Sequence, residues 1–281
     1  MINKISIVVL LCTACALLAS CRPANNYLDT LEPQFAGELS DQSPDFSGTV
    51  KVVSYNISFA RNIDAAIYEL SEFDALKDAD IILLQEMDET GTEEIAQALG
   101  YNYVYYPASI HNRHDKNFGN AILAKWPIHA PEKIILPYKS PRNQEIRIAV
   151  KAVVLLDGLE ILTYSVHTET FWLGHDKRTA QIDALINSID PGFQYIVVGG
   201  DFNTLTPGSI KELEQSFNEI GMERATQGVD YTAQYGPSKF VLDHIFSGGM
   251  SLIEAGKSEE ARASDHLPIW TKLAPQVAPR P

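Results

Sequence analysis

Cysteine is almost missing from this chain. Of 281 residues three are Cys, at positions 12, 15 and 21, and none follows. Beyond residue 21 the chain therefore has no internal disulfide and no thiolate metal site. Positive charge is also scarce: 22 Lys and Arg stand against 36 Asp and Glu, a formal charge of −14. A surface that grips long stretches of polyphosphate is normally basic, so a general nucleic-acid coating protein is excluded, though a local basic cleft is not. Long apolar runs are missing after residue 19, which excludes a polytopic membrane protein. There is no P-loop, HExxH or GxSxG string. His167-Thr168-Glu169 has the H-x-E spacing of zinc deaminases, but no Pro-Cys-x-x-Cys follows it. What remains is globular composition, with 45% hydrophobic and 21% charged residues, 17 Gly and 15 Pro.

The first twenty residues read as a secretory signal peptide: Lys4, then an apolar run from Ile5 to Ala19, too short to span a membrane comfortably. The run ends Leu18-Ala19-Ser20-Cys21, which resembles a bacterial lipobox. The resemblance implies a diacylated Cys21 as the mature N-terminus and a lipid anchor in the cell envelope, outside the cytoplasm. Residues 21–48 carry three Pro and no sustained period, and read as a flexible tether. Patterned sequence from 49 to 273 shows no internal linker or repeat and reads as one domain, followed by a short tail, 274–281. The protein is expected to be a monomer.

Apolar runs of strand type cover 50–57, 81–84, 101–106, 120–124, 146–155, 160–167, 195–198, 241–246 and 269–272, with a hairpin turn at Asp157-Gly158. Helical spacing follows Asp64, Thr90, Lys177 and Ser209, each of the first, second and fourth read as a cap. Loose alternation with long loops and hairpins favours an α/β fold with mixed sheets.

Polar residues recur at the strand ends. Asn56, Glu86, His167, Asp201 with Asn203, Asp243 with His244, and Asp265 with His266 each adjoin an apolar run. Each string has a plain structural reading alone, as a cap or turn. Together they place carboxylates, Asn and His on rigid supports around one crevice, a donor set suited to Mg2+ or Mn2+.

The strings "VVSYNI", "DIILLQEMD", "FGNAILAKWPI", "VHTE", "VVGGDFN", "LDHIF" and "SDHLP" resemble, in this order, the motifs of the endonuclease/exonuclease/phosphatase superfamily. That resemblance implies a four-layer α/β sandwich: two mixed, mainly antiparallel sheets face to face, with helices outside. It also implies metal-dependent hydrolysis of a phosphoester. Carried over residue by residue, Glu86 holds metal, with Asn56 on metal or phosphate and Asp265 in or near the metal shell. Asp201 orients or deprotonates the attacking water and Asn203 fixes Asp201. His266, paired with Asp243, donates to a phosphoryl or leaving oxygen. His167 is a second acid, and Arg147 and Asn120 bind phosphate. Abasic-site enzymes carry an acid where this chain has Ser58, which argues against that particular activity. Phe171-Trp172-Leu173, just past His167, reads as packing or as a wall of the substrate pocket, and 111–116 as a solvated loop or a site loop. The acidic charge and the anchor favour a small phosphodiester or phospholipid headgroup as substrate. A secreted nuclease, with nucleic acid only as substrate, is the alternative, and a non-catalytic binding lipoprotein a distant third.

Overall fold

The computed structural model describes residues 23–40, 45–112 and 114–276. The signal-peptide and Cys21 readings lie outside the described residues.

Strand β3 (Val50–Asn56) alternates, so Val50 and Val52 face one side and Val53 and Tyr55 the other. It centres a sheet that also holds β1 (Asn25–Asn26), β2 (Phe35–Gly37), β4 (Ile81–Met87), β5 (Asn102–His111), β6 (Lys116–Ala124), β15 (Met250–Lys257) and β16 (Ile269–Pro275). The order is β1-β5-β6-β4-β3-β16-β15, with β2 also on β5. A second sheet runs β11-β14-β10-β9-β8-β7, from Glu223–Arg224, Asp243–Gly248, Tyr195–Asp201, Leu159–His167, Ile148–Leu156 and Ile128–Ile135 respectively. The hairpin β12 (Ala233–Tyr235) and β13 (Ser238–Phe240) stands apart. Each large sheet holds one parallel pair, β3 with β4 and β9 with β10.

The sheets pack face to face. Val52, Ile81, Leu83 and Ile122 of one share a buried cluster with Val150, Ala152, Val197 and Ile245 of the other. Outside the first sheet, α1 (Ile63–Glu72) and α2 (Glu89–Leu99) bury Leu70 and Ile95 with Tyr55 and Leu84. Outside the second, α3 (His175–Asn187) and α4 (Pro207–Asn218) bury Leu185, Leu213 and Phe217 with Tyr164 and Val198. This is the expected four-layer α/β sandwich. Close approach of the two sheets explains Gly199, where a Cβ would stand 2.6 Å from Leu83 Cδ1, and close approach of the neighbouring strand β9 explains Gly200, where it would stand 1.9 Å from the Val166 carbonyl oxygen.

Several expectations are corrected. The tether reading fails over 23–40, because β1 and β2 add to β5. Asn102 Oδ1 accepts from the Leu39 and Ser40 amides, and Lys133 donates to the Tyr27 and Glu32 carbonyls. The tail reading fails for Ala274 and Pro275, which pair with Ser251 and Met250. The cap of α2 is Asp88, accepting from Gly91 N, and that of α4 is Thr206, reciprocal with Ser209.

Candidate active site

The strand ends named in the sequence meet at one end of the sandwich. Asn56 closes β3, while His167 closes β9 opposite Asp201, and Asp201 in turn pairs with Asp243 at the start of β14. His266 lies in the loop that enters β16.

Local backbone geometry aims these side chains. The β4–β6 register shifts between Leu84 and Met87, and Glu86 takes a positive φ of 58°. At this bulge Gln85 turns inward, where its Nε2 donates to Ser165 Oγ at 3.0 Å, and Glu86 is directed into the cleft. Asp201 Oδ1 accepts from the Asn203 amide at 2.8 Å, and Asn203, itself at φ 51°, donates its side-chain amide to the Thr168 carbonyl. Asn56 bridges two carboxylates: its Nδ2 lies 3.2 Å from Glu86 Oε1 and 3.1 Å from Asp201 Oδ2.

His266 Nδ1 meets Asp243 Oδ2 at 2.9 Å, both side chains buried, and His266 Nε2 lies 3.9 Å from Asp201 Oδ2. Burial opposes charge on His266, but Asp243 and Asp201 more than offset it, and its pKa is pushed up to about 10. It is an imidazolium at neutral pH. His167 is the opposite case. Its Nε2 lies 3.6 Å from Asp201 Oδ2 and 3.9 Å from Glu86 Oε1, yet burial, then Arg147 and His266, hold its pKa well below the usual range. The second acid expected here is thus a neutral imidazole, and its Nδ1 has no hydrogen-bond partner among the described residues.

Arg147 lines the cleft, but its charge is shared: Nε donates to Glu169 Oε2 at 3.1 Å and Nη1 lies 3.5 Å from Glu145 Oε2. Glu145 and Glu169 were not read as site residues, although each stands two positions from one that was. Asn120 departs from expectation. Its amide nitrogen donates to the Ile148 and Ser165 carbonyls, so it ties the sheets together and has no donor left for phosphate. Asp265 is exposed, and neither acidic cluster includes it. Its charge still raises the pKa of Glu86, after the larger effect of burial.

The donor chemistry fits a hard divalent cation. Glu86, His167 and Asp201 bring ligand atoms within 4.8 Å of one another, as do Asp201, Asp243 and His266. Burial raises the pKa of both Glu86 and Asp201, against the lowering effect of His266 on each and of Arg147 on Glu86. Above this floor opens a cleft of about 1120 Å³, walled by Phe59, Phe118, Phe171, Trp172, Tyr235 and Phe240. Phe171 and Trp172 are half exposed, their ring centroids 4.5 Å apart and their planes tilted by 32°, while Leu173 is buried. The Phe-Trp pair is wall, and only Leu173 is packing.

A sandwich of this topology, with carboxylates, Asn and a carboxylate–His pair at one end, defines a hydrolase-type phosphoester site. A model of the endonuclease/exonuclease/phosphatase family matches residues 53–266, and the chain belongs to that family of divalent-metal-dependent phosphoesterases and nucleases. A UPF0294 protein of Vibrio parahaemolyticus is 30% identical over 115 residues, 41% of this chain and 40% of that protein. The chain spans about half or less of the length of such curated relatives. A family protein from Bacteroides vulgatus superposes with a TM-score of 0.66 at 18% identity, over 80% of this chain and 98% of its own. The mannosyl-6-phosphatase of Bacteroides thetaiotaomicron superposes at 0.60 and 17% identity, over 80% and 99%.

Proposed function

We propose that this protein hydrolyses the phosphoester of a small phosphodiester or phospholipid headgroup by in-line attack of water, with Mg2+ or Mn2+ as cofactor. The convergence of Glu86, Asp201 and the His266–Asp243 pair around Asn56 carries this reading. Glu86, with Asp201 and neutral His167 beside it, would hold the cation, which supplies a Lewis acid for a phosphoryl oxygen. Asp201, held by the Asn203 and Asn56 donors, orients the water and takes its proton. His266, charged and steered by Asp243, offers Nε2–H to the oxygen on which charge develops. Arg147 adds positive potential to the cleft, moderated by Glu145 and Glu169.

The aromatic walls and the acidic overall charge favour a substrate whose phosphoester adjoins an apolar group. The half-exposed Phe171–Trp172 pair also offers a stacking surface for bases, which supports nuclease activity as the second reading. A Mg2+ assay against a chromogenic phosphodiester, phospholipid vesicles and plasmid DNA separates them. Chromogenic or lipid turnover without DNA cleavage supports the first, DNA cleavage alone the second. Turnover that persists unchanged in excess chelator refutes the metal's role. The lipobox-like string supports anchoring through Cys21 to a membrane of the bacterial cell envelope. C21S is expected to move the protein out of the membrane fraction or block its processing.

A further inference from the structure

Asn203 sits in the left-handed backbone region, at φ 51°, where a residue other than Gly needs outside support. Its amide donates to Asp201 Oδ1 at 2.8 Å, and its side chain donates to the Thr168 carbonyl at 3.0 Å. The residue before it, Phe202, is buried and donates its amide to the Leu242 carbonyl. The Asn203 carbonyl is held from outside the loop: Arg178 Nη1 donates to it at 2.9 Å. Arg178 is its only donor among the described residues.

Arg178 lies in the first turn of α3. Gln181, one turn on and on the same face, accepts from the Glu169 amide and donates to the Pro137 carbonyl, both at 2.9 Å. The helix is thus fastened to the segment after β9 without help from Arg178, and it carries the guanidinium on a rigid support. Arg178 does not line the cleft. With Thr168, Phe202 and Thr204 it lines a separate small pocket, whereas Asn203 lines the cleft. A substrate seated in the cleft does not touch this guanidinium. What reaches the site is the position of the Asn203 turn.

We propose that Arg178 is a positioning residue that sets the Asp201 carboxylate for attack by holding the Asn203 carbonyl. This rests on the hydrolytic reading above, in which Asp201 orients the water. Asp201 is gripped at both oxygens, Oδ1 by the Asn203 amide and Oδ2 by Asn56 Nδ2 at 3.1 Å. Without Arg178 the Asn203 carbonyl loses its donor, and the strained turn relaxes toward ordinary backbone. The Asn203 amide then leaves Oδ1, and the carboxylate is free to turn about its remaining contact. Attack on phosphorus is steep in geometry: a misplacement of about 1 Å costs on the order of 10²-fold in rate. Substrate binding, which falls to groups that face the cleft, is left alone.

The test is R178M on bis(4-nitrophenyl) phosphate at saturating Mg2+, alone and combined with D201N, with melting temperatures measured alongside. R178M keeps most of the stem and removes the donor. It is expected to lower kcat by about 10- to 100-fold with KM changed less than about threefold. In the D201N background the same change should cost less than about a further threefold, because the group it positions is already gone. If R178M does not fold, R178Q, polar but too short to reach the carbonyl, carries the same expectations. An undiminished kcat, a loss that appears in KM instead, or a full loss repeated in D201N overturns the proposal. Failure of the wild-type protein to turn over the ester overturns the hydrolytic reading, and the role of Arg178 with it.

Discussion

Replacing Asp243 by Asn removes one charge from a buried pair while keeping an oxygen opposite His266 Nδ1, 2.9 Å away in the wild-type protein. Asp243 is the foremost of three carboxylates, with Asp201 and Glu86, that lift His266 to about 10 against burial. Without its charge, burial regains weight and the His266 pKa falls toward or below its ordinary value near 6.5, each unit corresponding to about 1.4 kcal/mol. At pH 8 the variant's imidazole is then mostly neutral and unable to act as an acid, so kcat should fall by about 10²-fold or more. The alkaline limb of its pH–rate profile should also move to lower pH. Stability follows the same sign. A raised folded-state pKa means the His266 contribution is full below about 6.5 and is lost as pH rises through about 10. D243N should flatten that alkaline loss. H266A should resemble D243N in rate, and the double variant should be clearly sub-additive. The assays are pH–rate profiles and a double-mutant cycle, with melting temperatures alongside. An unmoved alkaline limb in D243N, or additive rate losses with most activity retained, would refute the pairing as a catalytic device.

Glu86→Ala should raise the Mg2+ concentration needed for half-maximal rate and lower kcat, measured by metal titration, because it removes the carboxylate that the β4 bulge directs into the cleft. His244 is buried between Thr204 Oγ1 and Arg224 Nη1 and its pKa is lowered to about 3, chiefly by burial. Its contribution to stability is present above about 6.5 and is lost as pH falls toward 3, about 2 kcal/mol of it by pH 5; denaturant unfolding of H244N should show a shallower acid loss. Asn102→Ala should cost about 1–3 kcal/mol of unfolding free energy, since it strips the acceptor of two backbone amides at Leu39 and Ser40 and the donor to Trp126 O.

The sandwich was legible because buried strands such as 81–84 and 195–198 are continuous apolar runs, and because site residues terminate them. Edge strands were not. In β7, Pro131 interrupts the pattern at a bulge, and β15 has a mostly exposed middle, so neither shows a clean period. β1 and β2 escaped because two or three polar or small residues give no pattern; partners on β5, remote in sequence, make them strands. Within the site, Glu86, Asp201, Asp243 and His266 could be read from their positions at strand ends. The assignment of Asn120 to phosphate failed because its commitment to the Ile148 and Ser165 carbonyls is a tertiary fact. Glu145, Glu169 and Tyr235 were missed for the same reason: nothing local marks a residue that reaches the cleft through a loop or hairpin.

The central claim is that Asp201 and a divalent cation act together on a phosphoester at the floor of this cleft. Initial rates on bis(4-nitrophenyl) phosphate, for wild type and D201N, with Mg2+ and after chelation, test it most directly. The account predicts turnover by the wild-type protein that chelator abolishes and added Mg2+ restores. In D201N it predicts a kcat at least about 10²-fold lower, with KM little changed. Wild-type turnover indifferent to chelator, or a folded D201N retaining full kcat, would contradict it.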